Sequence, residues 1–193
     1  DSDVAGLVQC PLHRRRGYRF EKIFVVGVLP SLHLKRIELL GFKSFASKTI
    51  IELERGITGI VGPNGSGKSN VADAVRWASG EQSLRAVRSR KSDEVIFVGN
   101  SRRPAVGMAE VTLIFDNSEG ELPLSFTEVS ITRRQYRSGE GEYLINKARA
   151  RLRDVTELLT HARLGPDSYA IVGQGAVDEV LLQRPEDRRM LLE

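Results

Sequence analysis

The stretch GITGIVGPNGSGKSNVADAVRWASGEQ, residues 56 to 82, decides the fold. It places a glycine-rich loop between a short apolar run and a helical pattern. The run ITGIVG reads as a buried strand entering the loop directly. In NVADAVRWA, residues Val71, Ala74, Val75 and Ala78 recur at steps of three and four, which sets one apolar helical face, and Gly80 supplies a stop. The loop itself, GPNGSGKS, fits G-x-x-x-x-G-K-[ST] with Gly62, Gly67, Lys68 and Ser69 at the fixed places. Glycines let a backbone wrap phosphate oxygens without a Cβ in the way. Successive amides then point inward, and the following helix adds its positive end. Lys68 can reach the β- and γ-phosphates of a nucleotide, and the Ser69 hydroxyl can ligate Mg²⁺.

Working outward, LHLKRIELLGF and KTIIELERG carry short alternating patterns punctuated by Gly41 and Gly56, and read as two strands. DEVIFVG is a short strand candidate. In MAEVTLIFDN, Val111, Leu113 and Phe115 alternate with Thr112 and Ile114, the pattern of a half-buried strand. FTEVSITRRQY and EYLIN flank RSGEG and predict a hairpin. Leu152, Val155, Leu158 and Leu159 form a helical stripe that Gly165 and Pro166 end, and the tail beyond Pro185 is helix-prone. Interleaved strands and helices give an α/β class with a mixed sheet. An acid that orders a metal often ends an apolar strand; LIFD, ending at Asp116, fits superficially, yet DNSEGE after it reads as a surface turn.

The bulk properties agree with one globular domain. The chain has 193 residues, 40% hydrophobic and 28% charged, with 29 Lys and Arg against 25 Asp and Glu. A net charge of +4 is a mild pull toward polyanions. The single cysteine, Cys10, excludes an internal disulfide. No apolar run approaches the roughly 20 residues of a membrane span. IFVVGVLP after the basic RRRGYRFEK loosely mimics a secretory signal, but it lies too far into the chain and no A-x-A pattern follows. Residues 1 to 31 therefore read as an extension with little structure, and ordered structure is expected from Leu32.

From residue 32 onward the chain resembles the N-terminal head segment of structural maintenance of chromosomes (SMC) proteins, of the bacterial and archaeal type. The resemblance rests on LKRIELLGFKSFASKT, GITGIVGPNGSGKSNVADAVRWASGEQS, VIFVGNSRRPAVGMAEVTLIFDN, EYLINKARARLRDVTELL and GPDSYAIVGQGAVDEVLLQRPEDRR. It implies a P-loop NTPase of the ABC type, with residues 32 to 193 as the N-terminal lobe of a split ATP-binding head and a coiled coil starting near 186 to 193. It implies ATP and Mg²⁺ held by Pro63, Asn64, Gly65, Ser66, Gly67, Lys68, Ser69 and Asn70. YAIVGQGAVDEVL is similar to the family's Q-loop, so Gln174 would contact Mg²⁺ and the attacking water. AVRSRKSDEVIFVG is similar to its arginine loop, so Arg88 would reach the phosphates, and GFKSF sets Lys43 near them. Without the resemblance, Gln174 is an ordinary loop glutamine and Arg88 a solvated arginine.

The family's serine-glycine signature and Walker B acid have no match here, because they lie in a C-terminal lobe. The resemblance thus implies an ATPase in the intact protein and a lobe inactive alone. It implies as partners the chain's own C-terminal lobe, a second head in a homodimer, kleisin-type accessory subunits and double-stranded DNA bound without sequence preference, in a cytoplasmic, nucleoid-associated setting with no membrane. The rival is the head half of a related coiled-coil repair or recombination ATPase. A transporter-type subunit is disfavoured because Gln174 follows Lys68 by 106 positions. A small kinase is disfavoured by the strand-rich insert from 93 to 146.

Two short stretches hold 13 of the 29 basic residues: 84 to 103, with Arg102 and Arg103 as candidate DNA contacts, and 133 to 153, with Arg149 and Arg153 as the others. Read as one helix, Arg149 and Arg153 lie four apart on one face, suited to phosphate contacts without base readout. The alternative is a solvated charged surface.

Overall fold

The computed structural model describes residues 8–11, 24–26, 32–55, 58–61, 65–162 and 164. Its main body is a six-stranded antiparallel sheet of order β4-β3-β6-β7-β8-β9, comprising β3 (His33–Leu40), β4 (Thr49–Glu52), β6 (Met108–Asp116), β7 (Glu128–Tyr136), β8 (Gly141–Ile145) and β9 (Ala148–Ala150). The strand that leads to the glycine loop, β5 (Thr58–Val61), stands in a separate sheet between β1 (Val8–Pro11) and β2 (Phe24–Val26). These two short strands fall in residues 1 to 31, where the sequence suggested little structure. Helices α1 (Lys68–Ala78) and α2 (Leu152–His161) and a short 3-10 turn complete the described elements.

The apolar faces foretold by periodicity form one core. Val71, Ala74, Val75 and Ala78 of α1 are buried in one cluster with Ile37 and Leu39 of β3, Val111 and Leu113 of β6, and Ile131 of β7. Val155, Leu158 and Leu159 of α2 join the same core. Trp77 packs its ring 5.3 Å from that of Phe42, centroid to centroid. Burial of such side chains is the main term holding α1, and so the loop before it, in place. The α/β class holds; every ladder among the described residues is antiparallel.

Two local expectations change. DEVIFVG does not extend as a strand: Ser92–Val95 form a 3-10 turn and Ile96 makes an isolated bridge to Phe42. Val95, Ile96 and Phe97 are all buried, at 0%, 1% and 6% exposure, which strict two-residue alternation on a half-covered sheet cannot achieve. The helix of the Leu152, Val155, Leu158 and Leu159 stripe begins at Leu152, but Arg149, expected on it, lies in an extra strand, β9. Asn146 and Lys147 both take left-handed backbone, φ 48° and 69°, which closes a two-residue hairpin between β8 and β9. The tail beyond Pro185, and the coiled coil expected near 186 to 193, lie outside the described residues.

Asp116 sits where β6 ends opposite His33, whereas the loop packs near Ser44, just beyond the other end of β3. Eight residues of strand separate those ends by roughly 23 Å at the usual rise. Asp116 accepts hydrogen bonds from Arg55 Nη2 at 2.9 Å and the Ser118 amide at 3.1 Å. The Ser118 bonds and then Arg55 hold its carboxyl well below the usual carboxylate range. It ends β6, and the turn that the flanking sequence indicated follows it at Ser118 and Glu119.

Candidate functional site

Lys68 opens α1, and the residue before it, Gly67, adopts φ 93°, which L side chains rarely reach. A Cβ at Gly67 would also stand 2.8 Å from Ser44 Oγ, so the close approach of the 41 to 45 turn requires glycine there. No side chain caps the helix and no acidic residue lies in its first turn. The positive end of the helix is thus uncompensated by a local carboxylate. Ser66 Oγ is buried and has no hydrogen-bond partner. An orphaned hydroxyl, a glycine cradle and an uncapped helix start fit a phosphate group as their missing acceptor and ligand. Lys68 is 8% exposed, and Ser69 and Asn70 are half-buried beside it. Gly65 also adopts left-handed backbone, φ 82°. Pro63 and Asn64 lie outside the described residues.

One turn beyond Ser69, Asp73 is 2% exposed and holds two cations. Lys43 Nζ donates to its Oδ2 at 2.5 Å, and Arg88 donates to the same oxygen through Nη2 at 2.7 Å and Nε at 3.0 Å. Lys43 Nζ also donates to the Val87 carbonyl. Arg88 Nη2 reaches Asn70 Oδ1 at 3.1 Å, while Asn70 Nδ2 donates to Ser44 Oγ at 2.8 Å. Three segments remote in sequence are therefore knotted at the start of α1: the GFKSF turn, the helix, and the arginine loop.

Both basic residues occupy left-handed backbone, φ 48° at Lys43 and φ 51° at Arg88. For a non-glycine residue that conformation is kept only where surroundings enforce it. Here the Lys43 amide donates to the Val95 carbonyl at 2.7 Å and the Arg88 amide to the Arg85 carbonyl at 2.9 Å. The GFKSF turn begins at Gly41, φ 63°, where a Cβ would meet the Met108 carbonyl oxygen at 2.2 Å.

With Lys68, Lys43 and Arg88 against the carboxylates of Asp73 and Glu94, the loop end of α1 still carries a net positive charge suited to a polyphosphate. Lys43 and Arg88, expected at the phosphates, are brought to the loop's flank and both bind Asp73. The Arg88 side chain is nonetheless 52% exposed. It faces a cavity of about 280 Å³ with Lys43, Asn70, Ser89, Glu94, Ile96 and Val98. Gln174 lies outside the described residues. Sequence reading missed Asp73; the available signal was a carboxylate in the second turn of a helix flanked by basic loops.

The basic stretch from 133 to 153 divides on inspection. Arg133 is largely buried, and Arg137 donates to the Val106 and Phe97 carbonyls at 2.7 and 3.0 Å, so both serve the fold. Arg134 binds Glu110 and, at 3.1 Å, Glu142. Arg149 and Arg153 do not share a helical face: Arg149 belongs to β9, and α2 starts only at Leu152, after Asp154 accepts the Arg151 amide at 2.8 Å. Arg149 is 87% exposed and pairs with Glu142 at 3.2 Å. Arg151 and Arg153 are exposed at the helix start. Arg102 and Arg103 cap a turn through the Asn100 carboxamide oxygen, each amide at 2.9 Å, and Arg103 also donates to Ser47 Oγ at 2.6 Å.

Comparison with known proteins places this architecture. The profile of the RecF/RecN/SMC N terminal domain family matches residues 33–170. The chain is 55% identical over 160 residues to the chromosome partition protein Smc of Desulfitobacterium hafniense, covering 83% of this chain and 13% of that protein. To the protein of the same name in Bacillus subtilis it is 48% identical over 162 residues, 84% of this chain and 14% of that one. The chain thus spans about an eighth of the length of the curated relatives it matches. A solved structure from structural biochemistry of ATP-driven dimerization and DNA-stimulated activation of SMC ATPases superposes with TM-score 0.77 at 37% identity, over 83% of this chain and 97% of that one. An Smc head domain from Pyrococcus furiosus, bound to the C-terminal domain of ScpA, gives TM-score 0.73 at 34% identity, over 83% of this chain and 40% of that one.

Proposed function

The chain belongs to the RecF/RecN/SMC N-terminal-domain family, and on that footing we propose that it is the ATP-binding N-terminal half of an SMC-type ATPase head. The observation that carries this reading is the phosphate cradle. A glycine-bounded loop, the orphaned Ser66 hydroxyl and the uncapped start of α1 converge beside Lys68, with Lys43 and Arg88 anchored on Asp73 at its flank. Loop amides and Lys68 bind and orient the phosphates of ATP. Ser69, and Gln174 from the family's Q-loop, hold Mg²⁺, which when bound neutralises phosphate charge and orders the nucleotide. Arg88 is held by one edge of its guanidinium, and the exposed remainder stabilises charge on the outer phosphates.

The head requires its C-terminal lobe to supply the signature serine-glycine and an acidic strand end, so this lobe alone does not turn over. ATP then joins two such heads in a homodimer, and engagement is coupled to binding of duplex DNA in chromosome condensation and segregation. The exposed Arg149, Arg151 and Arg153 give the DNA arm a phosphate-contacting surface without base readout. Kleisin-type accessory subunits are expected, by analogy with the ScpA-bound relative. No helix among the described residues is long and apolar enough to cross a membrane. Similarity to chromosome partition proteins favours a cytoplasmic, nucleoid-associated setting and favours this reading over a repair or recombination ATPase. The test is steady-state ATP hydrolysis by the intact protein with and without Mg²⁺. Turnover that needs Mg²⁺ and vanishes in Lys68→Ile supports the reading; turnover unaltered in Lys68→Ile refutes it.

A further inference from the structure

Arg133 stands apart from the other arginines of its strand. Its guanidinium lies 4.6 Å from the Trp77 ring centroid and 5.0 Å from that of Tyr143. Through Nη1 it donates to the Trp77 carbonyl at 2.8 Å and the Glu81 carbonyl at 2.9 Å. Those carbonyls belong to the last turn of α1 and the segment just after it, and the Trp77 carbonyl also accepts from the Gly80 amide at 3.3 Å. A cation there also matches the negative end of the helix. Tyr143 adds a second tie, accepting from Gln82 Nε2 at 3.1 Å, and it sits directly opposite Arg133 in the β7–β8 ladder. Strands β7 and β8 therefore grip the far end of the same helix whose near end forms the phosphate cradle.

The next residues of those strands face the other way. Arg134 and Glu142 are also cross-strand partners, and pleating sends them to the sheet face opposite Arg133 and Tyr143. There Glu142 accepts from Arg134 at 3.1 Å and Tyr136 at 3.1 Å, and pairs with the exposed Arg149 at 3.2 Å. One pair of strands thus carries the exposed cation cluster on one face and the helix clamp on the other. A polyanion that draws Arg149 from Glu142 acts on a strand whose adjacent residue holds α1.

We propose that Arg133 is the positioning residue that ties the phosphate-loop helix to the basic hairpin, so that duplex DNA held on the hairpin alters nucleotide turnover at the loop. The proposal rests on the function given above and adds a route and a residue to it. Arg133 touches neither nucleotide nor duplex; it acts through α1. Lysine at this position keeps the charge but loses both the planar stack and the fork that spans two carbonyls.

The experiment measures ATP hydrolysis by the intact protein with and without saturating duplex DNA. In Arg133→Lys the basal rate and the DNA affinity stay within about threefold of the parent, while the ratio of stimulated to basal rate falls to about one. A parental ratio in Arg133→Lys overturns the proposal. Should Arg133→Lys fail to fold by thermal melt, Tyr143→Leu, which removes one stacking ring and leaves the arginine on its carbonyls, carries the same test with the same outcomes. Absence of stimulation in the parent protein removes the DNA arm of the proposed function together with this route; a stimulated parent and an equally stimulated variant removes the route alone.

Discussion

Two carboxylates organise this molecule, and the contrast lies in their depth. Asp73 and Glu142 each gather basic side chains from remote positions: Lys43 and Arg88 on the first, Arg134 and Arg149 on the second. Asp73 is 2% exposed and lies within α1, whereas the Glu142 side chain is 17% exposed and its partner Arg149 is 87% exposed. Water is excluded from the Asp73 carboxylate and largely from Lys43, with only Arg88 reaching solvent, and it screens the second cluster. The same chemistry therefore yields a rigid scaffold at the phosphate loop and an exchangeable pair at the hairpin. An ion pair that an incoming phosphate can displace has to be weak; a pair that fixes the loop's flank cannot be.

The widest separation between the two is expected in stability. Asp73→Ala strands Lys43 beside a vacated carboxylate site and should cost about 3 kcal/mol in urea unfolding of the chain, within the range for breaking one partner of a buried pair. Glu142→Gln should cost under about 1 kcal/mol, as exposed pairs do. Equal losses at both positions would erase the distinction.

The depth of Asp73 is the feature the sequence conceals most fully. Its partners lie 30 and 15 residues away, at Lys43 and Arg88, and a charged residue between Ala72 and Ala74 reads as solvent-facing. Periodicity did expose what depends on local order: the buried strand into the loop, the Val71–Ala74–Val75–Ala78 stripe, and the inward Val111, Leu113 and Phe115 of β6, although Ile114, read as outward, is buried as well. It failed where local order and burial part company. Val95, Ile96 and Phe97 are consecutive core residues in a turn, and an apolar run of that length mimics a strand. β9 was hidden because its hairpin places Lys147 where glycine is the usual signal. That hidden strand also undid the pairing of Arg149 with Arg153 on one helix. Arg133 looked like its neighbours because sequence cannot distinguish an arginine stacked between rings from one in solvent.

The hairpin side of the contrast is sharpened by salt. Replacing Arg149 and Arg153 with glutamate should flatten the salt dependence of duplex affinity in the intact protein, lowering the slope of log K against log salt by roughly 2. Glu142→Gln should act in the opposite direction, strengthening duplex binding severalfold by freeing Arg149 and removing a negative charge. An unchanged slope in the double glutamate variant would return both arginines to ordinary surface.

The smallest expected effect is in acid. Hydrogen bonding from Arg134, then Tyr136 and the nearby Arg149, hold the Glu142 carboxyl below its ordinary value of 4.5. A depressed folded value contributes stability above the unfolded one, and that contribution is lost as pH falls through the folded value. Urea midpoints taken from pH 6 down to pH 3 should therefore decline less steeply in Glu142→Gln than in the parent. Parallel curves would show that the carboxylate has no such linkage.

The central claim is that the cradle at the start of α1 grips nucleotide phosphates, and calorimetric titration of Mg·ATP into the intact protein tests it most directly. We expect saturable uptake that requires Mg²⁺ and weakens more than about tenfold in Lys68→Ile, the loss of a charge-assisted contact worth over about 1.4 kcal/mol. No uptake by the parent, or uptake of equal affinity in the variant, would contradict the account.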